Sequence, residues 1–440
     1  MAVSAARMNA EPAPSARLGT RRTVLLLQGP ASTLWPRIAD ALEAEGHRAL
    51  HVNLSLGDWL FWRRRGALNY RGRLQDWPGW LDALCRREAV SDILYFADRL
   101  PYHRAAAAVA AELGIRAWAV ENGYLRPDWL TLEPVAMGRH SRFTRDPATI
   151  GRLAAGRPRA DLDPRFPVPF AVEAANEVVF NLAHVLGRLA FPRYVSDKRV
   201  APLLEYAGWI PHLATLARSR RQAAAVERDC ARPGSDHMLL ALQMETDYQI
   251  RASSDYPGQT EMLEEVLASL ARSAPETMRL IVKIHPFDNG LIDWRARTRR
   301  IAARHGLADR VTVIRGGRLA VLLAEARGLI TINSTTAVEA MRRGCPVLPL
   351  GDALYDVPGL CHQSGLERFW TTPEPPDPQL FDDWCRALAS EIQLRGSQMN
   401  RAGQAVAAAE IARRIGAAER YWQLYETSPD APSPLAVAAE

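Results

Sequence analysis

The sequence predicts an α/β protein with two nucleotide-binding-type domains, and three observations carry the prediction. Short apolar strands alternate with amphipathic helices over residues 23–120, and the same rhythm returns over 237–350. Between these stretches, about 144–235, only helical patterning is present. Two later strands also end in polar groups suited to a ligand. Leu280-Ile281-Val282-Lys283-Ile284 runs into His285-Pro286, where proline stops the strand, and Leu329-Ile330-Thr331-Ile332 runs into Asn333-Ser334-Thr335-Thr336. Strand ends of this kind line the carboxyl edge of a parallel sheet, where ligands of α/β proteins bind. A chain of 440 residues is also long enough for two cores.

In chain order, residues up to Arg22 read as a flexible leader. A buried strand at 23–27 meets the turn Gln28-Gly29-Pro30, a helix at 34–45 stops at Gly46, and a second strand occupies 49–54. Residues 58–80, rich in Trp, Arg and Tyr, read as an irregular excursion. A strand at 93–96, an alanine-rich helix at 102–113 ended by Gly114, and a strand at 116–120 complete a domain of about 23–143. The polar run 121–129 follows at a strand's carboxyl end. In the linking region 144–235, a helix at 177–191 carries Glu177, Asn181, His184 and Arg188 as a narrow polar stripe. Such a helix is either buried between domains or laid on anionic lipid, with Arg193, Lys198 and Arg199 close behind.

The second domain, about 236–370, opens on a strand at 238–242 that ends in Gln243 and Asp247. A helix at 261–272, the His-Pro strand, a strand at 311–314, the Asn-Ser-Thr-Thr element and a strand at 346–350 complete it. Asn, Ser and Thr cap helices, so 333–336 starts a helix whose free N–H groups and dipole suit a phosphate. An ordinary capped helix is the plainer reading. Residues 381–425 read as helical within a C-terminal region of 371–427, and 428–440 as a disordered tail.

Composition narrows the function. Hydrophobic residues at 48% and charged residues at 24% are ordinary for a globular chain, and a net charge of +6 suits a phosphate-bearing substrate or an anionic membrane, although many proteins of neutral function share it; no nucleic-acid partner is expected. Five dispersed cysteines argue for a reducing compartment and against a zinc site or disulfide frame, and ten scattered histidines form no metal-ligand spacing. The apolar run at 24–27 is too short to span a membrane, so the chain reads as cytoplasmic. No P-loop, no Gly-x-Gly-x-x-Gly opening a helix and no Gly-x-Ser-x-Gly elbow is present. What remains is an enzyme working between two domains, or a regulatory nucleotide-binding protein.

A series of short motifs then gives a resemblance. Gln28-Gly29-Pro30, Asn69-Tyr70-Arg71-Gly72, Pro101-Tyr102-His103-Arg104, the run from Glu121 through Gly123-Tyr124-Leu125-Arg126-Pro127-Asp128-Trp129 to Glu133, Lys283-Ile284-His285-Pro286, Asn333-Ser334-Thr335 and Leu354-Tyr355-Asp356 with Pro358-Gly359 resemble, in that order, the KpsS/LipB family of capsule polysaccharide proteins. The resemblance implies a GT-B-like retaining β-Kdo glycosyltransferase with no cofactor or metal. It would use CMP-Kdo as donor and a phosphatidylglycerol-type lipid as acceptor, peripherally on the inner membrane and beside other capsule assembly proteins. Members often carry a second acidic residue where this chain has Asn122. On the implied reaction, His285, Lys283, Pro286 and the Asn333, Ser334 and Thr335 element meet the leaving phosphate. Glu121 is the candidate nucleophile, or a carboxylate paired to Arg126 or His103. Gln243 and Asp247 hold cytidine or ribose, or belong to a surface loop. Gln28, His103, Arg104 and Arg126 meet the acceptor or the Kdo carboxylate, or form ordinary ion pairs. An epimerase of the same architecture and a non-catalytic export or regulatory partner are the competing readings.

Overall fold

The computed structural model describes residues 21–197 and 200–426. Its first unit runs β1 (Thr23–Leu26), α1 (Leu34–Ala44), β2 (Arg48–Asn53), α2 (Leu56–Trp62), β3 (Leu68–Asn69), α3 (Trp77–Arg87), β4 (Asp92–Phe96), α4 (Pro101–Leu113), β5 (Arg116–Asn122) and β6 (Trp129–Pro134). Three helices follow: α5 (Pro147–Ala154), α6 (Phe170–Leu186) and α7 (Pro202–Cys230). The second unit runs β7 (His237–Ala241), α8 (Tyr248–Ala252), α9 (Gln259–Ser273), β8 (Arg279–Ile284), α10 (Trp294–Arg304), β9 (Val311–Arg315), α11 (Leu319–Ala324), β10 (Gly328–Thr331), α12 (Thr336–Arg342) and β11 (Val347–Pro349). The chain ends with α13 (Leu366–Phe369), α14 (Pro378–Glu391), β12 (Gln393–Arg395), α15 (Arg401–Gly416) and α16 (Ala418–Glu426). The tail after Ser428, most of the leader, and Lys198 and Arg199 lie outside the described residues.

The first sheet has the order β12-β6-β5-β4-β1-β2-β3 and the second β11-β10-β7-β8-β9. Within each, the first five strands of that unit lie 3-2-1-4-5 and run parallel, the doubly wound arrangement. The apolar runs are continuous because both faces of each sheet are covered. Leu25 and Leu27 enter one core with α3 and α4, while Val24 and Leu26 enter another with α1 and α15. Each such fully buried leucine contributes about 2 kcal/mol. The fold is thus two Rossmann-like units facing across a cleft, in the GT-B manner, as the sequence predicts.

Several elements differ from the sequence reading. The excursion at 58–80 is ordered: a capping box between Ser55 and Asp58 starts α2, and Tyr70, Trp77, Trp80 and Tyr102 pack together around β3 and α3, Trp77 edge to face with both tyrosines and stacked on Trp80. Its aromatic density disguised a core. The stretch after Asn122 turns back as β6, antiparallel to β5. The helical span 381–425 is broken by β12, which pairs with β6 and so returns the chain to the first sheet. Three residues with no period of their own form a strand there because an edge awaits them. Arg139 closes one side of the cleft, its Nε donating to Asp352 at 2.5 Å and a terminal nitrogen to Asp255 at 3.0 Å. Among the described residues, no helix is long and apolar enough to cross a membrane.

Candidate active site

In the second unit the strand order reverses between β7 and β10, and the residues just past them meet. Gln243 Nε2 donates to Asn333 Oδ1 at 2.9 Å, and the Asn333 backbone N–H donates to Gln243 Oε1 at 3.1 Å. Asn333 also donates to the carbonyls of Gln249 and Ser253, and Gln259 holds the Gln243 backbone through two bonds. The sequence reading gave Gln243 and Asn333 to the donor. Their amides bond each other and backbone, which ties the switch point together. Ser334 accepts from Thr336 N–H, and Tyr355 donates to the Ser334 carbonyl at 2.8 Å. Thr335 stands at the start of α12 with helical backbone angles and makes no side-chain cap. Asp247 caps α8 by accepting from Gln249 N–H at 3.0 Å, and burial raises its pKa.

Lys283 and His285 stand at the end of β8. Lys283 is 9% exposed and has no carboxylate partner among the described residues, and burial lowers its pKa. His285 is pushed down to about 4, by burial first and then by the charges of Lys283 and Arg126. It is therefore neutral at pH 7. Its Nδ1 accepts from Phe287 N–H at 3.1 Å, which leaves the proton on Nε2. Pro286 is exposed beside it.

In the first unit Glu121 and Asn122 end β5. Alternation puts them on opposite faces. Asn122 accepts from Gln398 at 3.0 Å on the α1 and α15 side, so the amide is structural. Glu121 lies on the other face and is half-buried, close enough to Arg126 to act on its charge. The turn between them is set by Gln393 of β12, whose Oε1 accepts from Tyr124 N–H at 2.9 Å and whose Nε2 donates to Thr131 at 2.7 Å. Gly123 is required, since a Cβ there would strike Gln393 and lie 2.6 Å from the Trp129 carbonyl.

Arg126 joins the two units electrostatically. Its surface is open to solvent, yet its guanidinium is desolvated enough to lower its pKa, as happens at the foot of a concave cleft. Glu121 of β5, Asp247 of α8 and Glu173 of α6 oppose that effect, and Arg126 in turn acts on His285. The cleft thus brings together Glu121, Arg126, Asp247, Lys283 and His285 from the residues expected in the sequence. Gln28 and His103 of the first unit are engaged elsewhere. Gln28 donates to Asp58 at 3.3 Å and exchanges bonds with the Tyr194 hydroxyl, which covers it. His103 is wholly buried and donates from Nδ1 to the Ala97 carbonyl at 2.8 Å; burial holds it neutral, near 4. Arg104 is half-buried on α4.

Three side chains of this region, Glu173, Tyr124 and Glu133, were missed. Glu173 is a lone glutamate on a helix, and no local signal marks it. Tyr124, Glu133 and Asp98 stand beneath Glu121 as a buried group. Burial pushes Glu133 up to about 8 and Asp98 up to about 6, and the hydroxyl of Ser141 donates to Glu133. Glu133 closes the longest motif of the sequence, a signal that was available.

Comparison with known proteins adds the following. A family model described as capsule polysaccharide biosynthesis protein matches residues 91–398. The capsule polysaccharide export protein KpsS of Escherichia coli is 32% identical over 384 residues, 84% of this chain and 95% of that protein. The capsule polysaccharide modification protein LipB of Neisseria meningitidis is 29% identical over 388 residues, 86% of this chain and 92% of that protein. Among solved structures, the β-Kdo 2,7 transferase KpsC of Thermosulfurimonas dismutans aligns at a TM-score of 0.43 and 14% identity, covering 90% of this chain and 100% of that one.

Proposed function

Since the chain belongs to the capsule polysaccharide biosynthesis family, we propose that it transfers Kdo from CMP-Kdo to a phosphatidylglycerol-type lipid, with retention, peripherally at the inner face of the membrane. The observation that carries this reading is the meeting of one carboxylate and three nitrogen groups in a single cleft: Glu121 and Arg126 from the first unit, Lys283 and His285 from the second.

Each group has a task in that reaction. Arg126 pairs with the Kdo carboxylate, as a planar guanidinium does best. Glu121 attacks the anomeric carbon while its bond to the CMP phosphate breaks. Negative charge grows on that phosphate, and Lys283 and the Nε2–H of neutral His285 stabilise it. The acceptor hydroxyl then displaces Glu121 from the same carbon, and its proton passes to the released phosphate dianion. Asp247, facing Arg126 from the donor side, holds the ribose hydroxyls, and Ser334 and Thr335 border the phosphate.

Mass analysis of purified protein incubated with CMP-Kdo and a lyso-phosphatidylglycerol is the direct test, with Glu121→Gln as its control. The variant should lose transfer and keep its CMP affinity by calorimetry. Near-normal transfer by Glu121→Gln removes the nucleophile assignment, and equal affinity for UDP and CMP removes the donor. The E. coli relative's description as an export protein favours a second reading, a non-catalytic export role. Capsule formation that survives Glu121→Gln in cells would support it.

A further inference from the structure

The large apolar side chains left exposed on the described surface, Leu204 of α7 and Val406 of α15 apart, fall on α6, its flanks, Trp59 of α2 and the loop after β8. Along α6 and the turn that extends it, Val172, Val179, Leu182, Leu186 and Leu189 recur at steps of seven, three, four and three, which is one helix face. All are exposed, Leu186 at 72% and Leu189 at 96%. The opposite face carries the packing. Leu56 of α2 packs on Gly187, Gly57 lies beneath Phe180 and His184, and Asn181 is buried. The helix is inside out for a soluble protein: among the described residues its apolar side is left exposed, while Asn181 and His184 of its polar stripe are turned inward.

Its place matters as much as its pattern. At one end Phe170 stacks on Phe287, centroids 5.3 Å apart, two residues beyond His285, and Glu173 acts on Arg126. At the other end His184 stacks on Tyr194 at 5.0 Å, and Tyr194 covers Gln28. The helix therefore lies along the mouth of the cleft from one unit to the other. Arg188 and Arg193 are exposed just past its end, Arg63 and Arg65 just past α2, which packs on it, against the exposed Glu177 of the helix itself, and the chain carries +6 overall.

We propose that α6 lies in the plane of an anionic phospholipid surface with this face down, so that lipid headgroups enter the cleft beside Phe170 and Phe287. The inference rests on the lipid-acceptor reading above and gives it a surface and an entry point. An apolar stripe flanked by arginines matches a bilayer that offers acyl chains and negative headgroups together. A second copy of the chain would set those arginines against themselves.

The test is flotation of the full chain with phosphatidylcholine vesicles that contain phosphatidylglycerol, for wild type and for Leu182→Ser/Leu186→Ser/Leu189→Ser. Wild type should float, less so as salt rises, and the triple variant should bind at least about tenfold more weakly while its CMP affinity stays the same. A variant that floats like wild type overturns the proposal, as does wild type that fails to float at low salt. Self-association lost in the variant would give the face to a second copy and also overturn it. Flotation needs no sugar nucleotide. Binding without Kdo transfer therefore counts against the donor reading alone, and transfer to water-soluble glycerol phosphate without flotation counts against this proposal alone.

Discussion

Replacing Glu133 with glutamine should make the protein markedly less sensitive to alkali. Glu133 is 1% exposed, accepts the Ser141 hydroxyl on one oxygen, and offers the other to no hydrogen-bond partner among the described residues. Burial pushes it from 4.5 up to about 8. Between those values the folded chain keeps a proton that the unfolded chain has released, so folding stability falls as pH rises through that window and is level above it. At about 1.4 kcal/mol per pH unit, the loss between about pH 5 and about pH 8 is on the order of 4 kcal/mol. Glutamine still accepts from Ser141 and has no proton to lose. Urea unfolding of wild type and Glu133→Gln at both pH values gives the difference directly. Asp58 and Asp98, each pushed up to about 6, add the same slope to both proteins and largely cancel. The stability advantage of the variant should grow with pH by that amount. An advantage that is constant across the range would mean Glu133 is already ionised in the folded protein, and the burial argument would be wrong.

His285→Ala should lower kcat by about a hundredfold and change CMP affinity only a few-fold, because a donor to the leaving phosphate acts mainly as charge develops; steady-state kinetics and calorimetry separate the two. Lys283→Met should weaken CMP binding by about tenfold yet raise the melting temperature, since it removes an unpaired charge from a buried site. Unchanged affinity would place Lys283 outside the donor site. Gly123→Ala, which puts a methyl against Gln393 and the Trp129 carbonyl, should cost on the order of 2 kcal/mol of stability and most of the transfer activity. A variant of wild-type stability and rate would show that the turn has slack.

Much of the fold was legible because it rests on local pattern. Apolar runs such as Val24–Leu27 and Leu280–Ile284 are buried on both faces and so read as strands without alternation. β6 and β12 were not legible, because each is made by the edge it pairs with rather than by its own residues. The site divides the same way. His285 and Glu121 announce themselves at strand ends, whereas Glu173 gains meaning only when α6 is laid across the cleft. Asn333 is the opposite case. Its position marks a ligand edge, but only the folded chain shows that Gln243 has already claimed its amide.

The return of β12 to the first sheet has a consequence for how the protein is made. The chain passes from one unit to the other through the helices at 147–230 and comes back at residues 391–393. Gln393, which shapes the turn beside Glu121, therefore leaves the ribosome after the whole of the second unit. Until then the first unit carries an open strand edge at β6 and lacks α15, which covers one side of its core. Order of synthesis and order of completion are reversed: the half that is translated first is the half that is finished last. A premature stop just ahead of Gln393 would spare every strand of the second unit and strike instead at the turn beside Glu121 in the first.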